Sequence, residues 1–72
     1  MKIDWTIAPA DAVYHACEQD GSGNWYSAKP FIGTTVWWPK RGTGCLESDH
    51  KLPAGADWQK SLTKRPKETS DN

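Results

Sequence analysis

The run TTVWWPKRG, Thr34 to Gly42, limits what this chain can become more than any other stretch. β-Branched residues lead into two adjacent tryptophans, a strand composition, and Pro39 then ends the ladder or marks an edge. Neighbouring side chains on a strand point to opposite sides, so Trp37 and Trp38 cannot both enter one core. The chain holds five tryptophans in 72 residues. A chain of this length buries only about 60% of the surface that it exposes when unfolded, while each large aromatic side chain removes roughly 150–250 Å² from water. Interior room is short, and at least one ring is expected at the surface or in an interface.

Turn formers divide the rest into short pieces. AVYHAC (12–17) reads as a strand, EQDGSGN (18–24) as a turn, WYSA (25–28) as a second strand and KPFIG (29–33) as another turn. TTVWW (34–38) is the strongest strand and KRGTG a loop. From Cys45 to Asp57 no period is sustained. DWQKSLTKRP is either a short C-terminal helix capped by Asp57 or a final strand, and the strand is the better reading because Trp58 and Leu62 alone make a weak helical stripe. The expected fold is mainly β, an antiparallel meander of three or four strands in one domain over 1–66, with a frayed polar tail over 67–72. Alternation puts Ala12, Tyr14 and Ala16 on one face of the first strand and Val13, His15 and Cys17 on the other. Neither face is polar, so the N-terminal segment, the C-terminal segment or a second molecule must cover the sheet.

Nine Lys and Arg balance nine Asp and Glu, which removes the bulk electrostatic case for nucleic acid or anionic membrane. The charge is unevenly placed. Residues 1–27 hold Lys2 against Asp4, Asp11, Glu18 and Asp20, a net of −3. Residues 28–45 hold Lys29, Lys40 and Arg41 with no acid, a net of +3. No apolar run approaches the roughly 20 residues that span a bilayer, and the opening MKIDWTIAPADA lacks the apolar segment of a secretory signal. The expectation is a cytoplasmic protein with Cys17 and Cys45 as thiols.

IDWTIAPADA, an acidic-glycine turn before NWY, then WW, then W…SL…RP, resembles a group of small tryptophan-rich accessory proteins of tailed bacteriophages, over Ile3 to about Pro66. The order Val13-Tyr14-His15 departs from that group, where a Thr-His-aromatic triplet is expected. The resemblance implies a phage or prophage accessory gene acting in the bacterial cytoplasm, and inhibition of a host defence or regulatory factor as a natural use. It implies no reaction.

The residues themselves argue for binding over chemistry. His15, Cys17, Cys45 and His50 are zinc-competent types, but H-x-C with C-x4-H is not a common zinc signature, so no cofactor is expected. A Cys17–Cys45 disulfide is opposed by the cytoplasmic reading. Cys45, His50 and Asp49 lack the spacing of a nucleophilic triad, and GSG (21–23) and GTG (42–44) are plain turns. An enzyme is not expected. Trp37, Trp38, Lys40 and Arg41 fall within five positions, with Trp25 and Tyr26 expected on the neighbouring strand. Tryptophan, tyrosine and arginine dominate protein–protein hot spots, so this patch is read as the docking surface for a host or phage protein or for a second copy. The alternative is a nucleotide held in a tryptophan sandwich with the cations on its phosphates. Single-stranded nucleic acid is a weaker alternative.

Overall fold

The structure is a computed structural model, and it describes residues 3–53 and 56–66. The fold is mainly β and antiparallel throughout, as the turn pattern predicts. The strands are β1 (Tyr14–Cys17), β2 (Gly23–Tyr26), β3 (Phe31–Ile32), β4 (Trp37–Trp38), β5 (Cys45–Ser48) and β6 (Thr63–Lys64), with 3₁₀ turns at Trp5–Ile7 and Trp58–Lys60. Four strands form a sheet in the order β5-β2-β1-β6, and β3 and β4 form a separate hairpin. Sequential neighbours pair in β1–β2 and in β3–β4. The outer strands β5 and β6 come from later in the chain.

Several local expectations change. The strand foreseen over 34–38 is confined to Trp37–Trp38, because Thr34–Val36 bend to close the hairpin through Gly33 N–H to Val36 O, 2.8 Å. Phe31–Ile32, foreseen within a turn, is the partner strand. The C-terminal segment ends in a strand, β6, and the helix alternative is reduced to a single 3₁₀ turn at Trp58–Lys60 that lacks the expected Asp57 side-chain cap. The tail expected over 67–72 lies outside the described residues.

Both faces of the sheet are apolar; the N-terminal segment covers one, and Trp37 of the hairpin with Trp58 of the C-terminal segment covers the other. On the face of His15 and Trp25, Ile3 and Trp5 pack against Trp25 and Ala12; the Trp5 and Trp25 rings are 5.3 Å apart. Ala12 was expected with Tyr14 and Ala16. It changes side because Val13 N–H donates to Tyr26 O while Tyr14 is the residue registered against Tyr26. Two residues thus oppose one, the mark of a bulge, and the alternation is reset. Arg65 locks this segment down: Nη1 donates to Pro9 O at 3.3 Å and Ala12 O at 3.0 Å, with the guanidinium carbon 5.7 Å from the Trp5 ring centroid.

The opposite face carries Ala16 and Tyr26, covered by Trp37 and Trp58, whose rings meet edge to face at 6.3 Å. Trp37 Nε1 donates to Cys17 O at 3.0 Å, so its polar edge is satisfied inside. Ser61 seals the same strand: its hydroxyl accepts from Cys17 N–H at 2.8 Å, and its one proton lies within reach of Trp58 O and Cys17 O.

Candidate functional site

Four of the five tryptophans are buried: Trp5, Trp25, Trp37 and Trp58. Trp38 is 60% exposed. The adjacent indoles of the opening run therefore separate as strand geometry requires, Trp37 into the core and Trp38 outward.

The patch expected at Trp25, Tyr26, Trp37, Trp38, Lys40 and Arg41 is divided. Trp38, Lys40 and Arg41 lie on the surface. Tyr26 and Trp37 are interior on one face of the sheet, with Tyr26 Oη 3.5 Å from Trp37 O. Trp25 is interior on the other face. Nor is β2 the neighbour of the Trp37–Trp38 strand: β2 lies between β1 and β5, and β4 pairs with β3.

The β3–β4 register supplies residues that sequence reasoning missed. Phe31 faces Trp38, and both are 60% exposed. Paired residues share a face, so both side chains lie on the outer surface of the hairpin. Ile32, opposite Trp37, is also exposed. The available signal was Phe31 itself, the chain's one phenylalanine, seven residues before Trp38 across a glycine. Gly33 is needed for this arrangement: a Cβ there would lie 2.5 Å from Trp38 Nε1 and 2.8 Å from Val36 O. The indole rests across the glycine. Trp37 anchors the hairpin from within, and Gln19 N–H to Thr35 O, 3.1 Å, ties its tip to the β1–β2 turn. Lys29, Lys40 and Arg41 are exposed around its open end.

A second cluster is polar and sealed. His15 on β1 is fully buried, with Nε2 2.8 Å from the Ser48 hydroxyl on β5. Gly23 lies between these strands and makes the approach fit, since a Cβ there would lie 2.9 Å from His15 Cε1 and still closer to His50 O. His50 N–H donates to Ser48 Oγ at 3.0 Å, and His50 Nε2 accepts Asp4 N–H at 3.0 Å. The His15 ring is 4.7 Å from Trp25 and 5.6 Å from His50. His15 Nδ1 has no hydrogen-bond partner among the described residues. Burial, and secondarily the His50 charge, lowers the His15 pKa to about 4, so the ring is neutral near pH 7. Ser48 is as enclosed as His15. This serine–histidine contact joins β1 to β5 and presents no nucleophile to solvent.

The four zinc-competent residues are likewise divided. His15 and Cys17 are buried on one face, while Cys45 is exposed and shares a register row with Tyr26 and Tyr14 on the other. Among the described residues no three His, Cys, Asp or Glu side chains could together hold a metal ion. Cys17 and Cys45 are both thiols, and burial raises the Cys17 pKa. A cleft of about 180 Å³ lies between Pro9–Ala12 and Gly44–Leu46, and another of about 220 Å³ between Glu18–Asp20 and Thr35–Val36. Both are below the roughly 300–1,000 Å³ of usual small-molecule sites. Among the described residues no helix is long and apolar enough to cross a membrane.

No protein-family model, curated protein or solved structure matches the chain.

Proposed function

We propose that this chain is a non-enzymatic binding module that docks onto a protein partner through the outer face of the β3–β4 hairpin. The observation that carries the reading is the pairing of Phe31 with Trp38, both 60% exposed, in a chain that buries its other four indoles. A large aromatic on an anchored hairpin is a pre-ordered contact that loses little entropy on binding. Aromatic and arginine side chains are the residues that dominate interface energies. Lys29, Lys40 and Arg41, with no acid between positions 28 and 45, favour an acidic rim on the partner. The resemblance to tryptophan-rich phage accessory proteins supports a host or phage protein in that place, and a host defence or regulatory factor as its target. The nucleotide sandwich has less support, because Trp25 and Trp37 are occupied in the core and only Phe31 and Trp38 remain to hold a base.

The test is affinity capture from bacterial lysate with wild-type chain and with Trp38→Ala, read by quantitative mass spectrometry. Wild type is expected to retain a specific protein that Trp38→Ala loses while keeping its circular dichroism spectrum. Equal capture by both chains, or no specific capture, overturns the reading. Quenching of Trp38 fluorescence by ATP or GTP at micromolar concentration would replace it with the nucleotide alternative.

A further inference from the structure

The two edges of the four-stranded sheet are unlike each other. β6 has two residues, and the exposed Lys64 and Pro66 close that side with a charge and a missing N–H, the usual protection of an edge. β5 has four residues, contains neither lysine nor proline, and exposes Cys45, Leu46 and Glu47. Leu46 is 60% exposed.

Which backbone groups this edge offers follows from the register. Glu18 N–H donates to Ser22 O, so the hydrogen-bonded rows between β1 and β2 are Ala16–Asn24 and Tyr14–Tyr26. Cys17 N–H, turned the other way, donates to Ser61 Oγ on the β6 side, which agrees with this phase. Trp25 and Gly23 must then direct their backbone groups at Leu46 and Ser48. Cys45 and Glu47 direct theirs outward, beyond the sheet.

We propose that two copies of this chain join edge to edge through β5, antiparallel, with Cys45 of each opposite Glu47 of the other. Outward groups can pair only with outward groups, which leaves three central registers. Glu47 against Glu47 sets like charges directly opposite. Cys45 against Cys45 sets Leu46 against the partner's Gly44. Cys45 against Glu47 uses all four outward residues in four backbone hydrogen bonds and places the two exposed Leu46 side chains in contact on the two-fold axis. That axis pair is a non-hydrogen-bonded one, where Cα atoms approach to about 4.5 Å. The product is a closed dimer with a continuous eight-stranded sheet, each protected β6 edge outermost. The contact does not involve Phe31 or Trp38 and does not depend on the hairpin reading; it would present two hairpins per particle.

Sedimentation equilibrium under reducing conditions tests this. Wild type is expected to pass from 8.1 kDa to twice that mass as concentration rises to millimolar. Glu47→Pro removes an outward N–H and no inward one, so it is expected to keep its circular dichroism spectrum and remain monomeric, while Trp38→Ala dimerises as wild type does. In a Cys45→Ser background, Leu46→Cys is expected to form an intermolecular disulfide under mild oxidation and Asp49→Cys is not. A wild type that stays monomeric at millimolar concentration overturns the proposal. So does a dimer that survives Glu47→Pro, or equal cross-linking at 46 and 49.

Discussion

Acidification should unfold this protein through one imidazole. His15 is fully buried against Trp25, with Nδ1 unpartnered and no acidic group among its ring and hydrogen-bond neighbours Ser48, Trp25 and His50. Its pKa falls from 6.5 to about 4 on folding. A base whose pKa is lowered in the fold is protonated first in the unfolded chain. Its stabilising effect is therefore whole above about pH 6.5 and is lost as pH falls toward 4. The gap between those values, at about 1.4 kcal/mol per pH unit, is worth about 3 kcal/mol in full, and about 2.5 kcal/mol is gone by about pH 4.5. For a chain of this size, that is a large part of a total stability of roughly 4–11 kcal/mol. The assay is urea denaturation followed by circular dichroism at about pH 7.5 and about pH 4.5, in wild type and in His15→Gln, whose amide can still reach Ser48. Other groups contribute in both chains. Asp4 and Asp20 have carboxyls held below the usual value by bonds from Thr6 and Ser22, so they add a loss at lower pH. Glu18, raised by burial, acts in the opposite direction. These effects cancel in the difference between the two proteins. Wild type should lose about 2 kcal/mol more than the variant across this range. Equal losses would refute the argument and mean that water or structural opening solvates His15 at low pH.

Trp58→Ala removes an interior indole packed on Trp37 and should cost about 3–5 kcal/mol; Trp38→Ala should stay within about 0.5 kcal/mol of wild type, and urea midpoints separate the two. Gly23→Ala drives a methyl group into His50 O and the His15 ring and should cost at least about 3 kcal/mol; Gly44→Ala meets nothing within 4 Å and should melt near the wild-type temperature in a calorimetric scan.

Much of the architecture was legible because turn chemistry and the excess of indoles are local and numerical facts. Two-sided apolarity in AVYHAC requires covers; residues 3–5 provide one, and residues 58–61 share the other with Trp37 of the hairpin. The split of Trp37 from Trp38 followed from strand geometry alone. β5 was not legible: in CLES only Ser48 is buried, so no burial alternation marks it, and its place is determined by pairing with β2. The hairpin was half legible. The sequence brings Trp37, Trp38, Lys40 and Arg41 into one patch without saying which indole turns outward, and it hides Phe31 in a turn because β3 spans only two residues and shows no period. Trp25 and Tyr26 were assigned to the surface patch because the neighbour of β2 was taken to be the next strand in sequence. The His15–Ser48–His50 cluster depends on three strands lying in register, and no short window contains that information.

The order of the strands has a consequence for how the protein is made. Tyr14 is paired on its second side by Lys64, which leaves the ribosome 50 residues later (64 − 14), and Arg65 reaches back to Ala12. Such distant pairings make for slow folding. The face of Ala16 and Tyr26 on the nascent β1–β2 ribbon has only Trp37 to cover it until Trp58 emerges, so the sheet is completed late in synthesis, and a chain that stopped before Thr63 would lack its β6 edge.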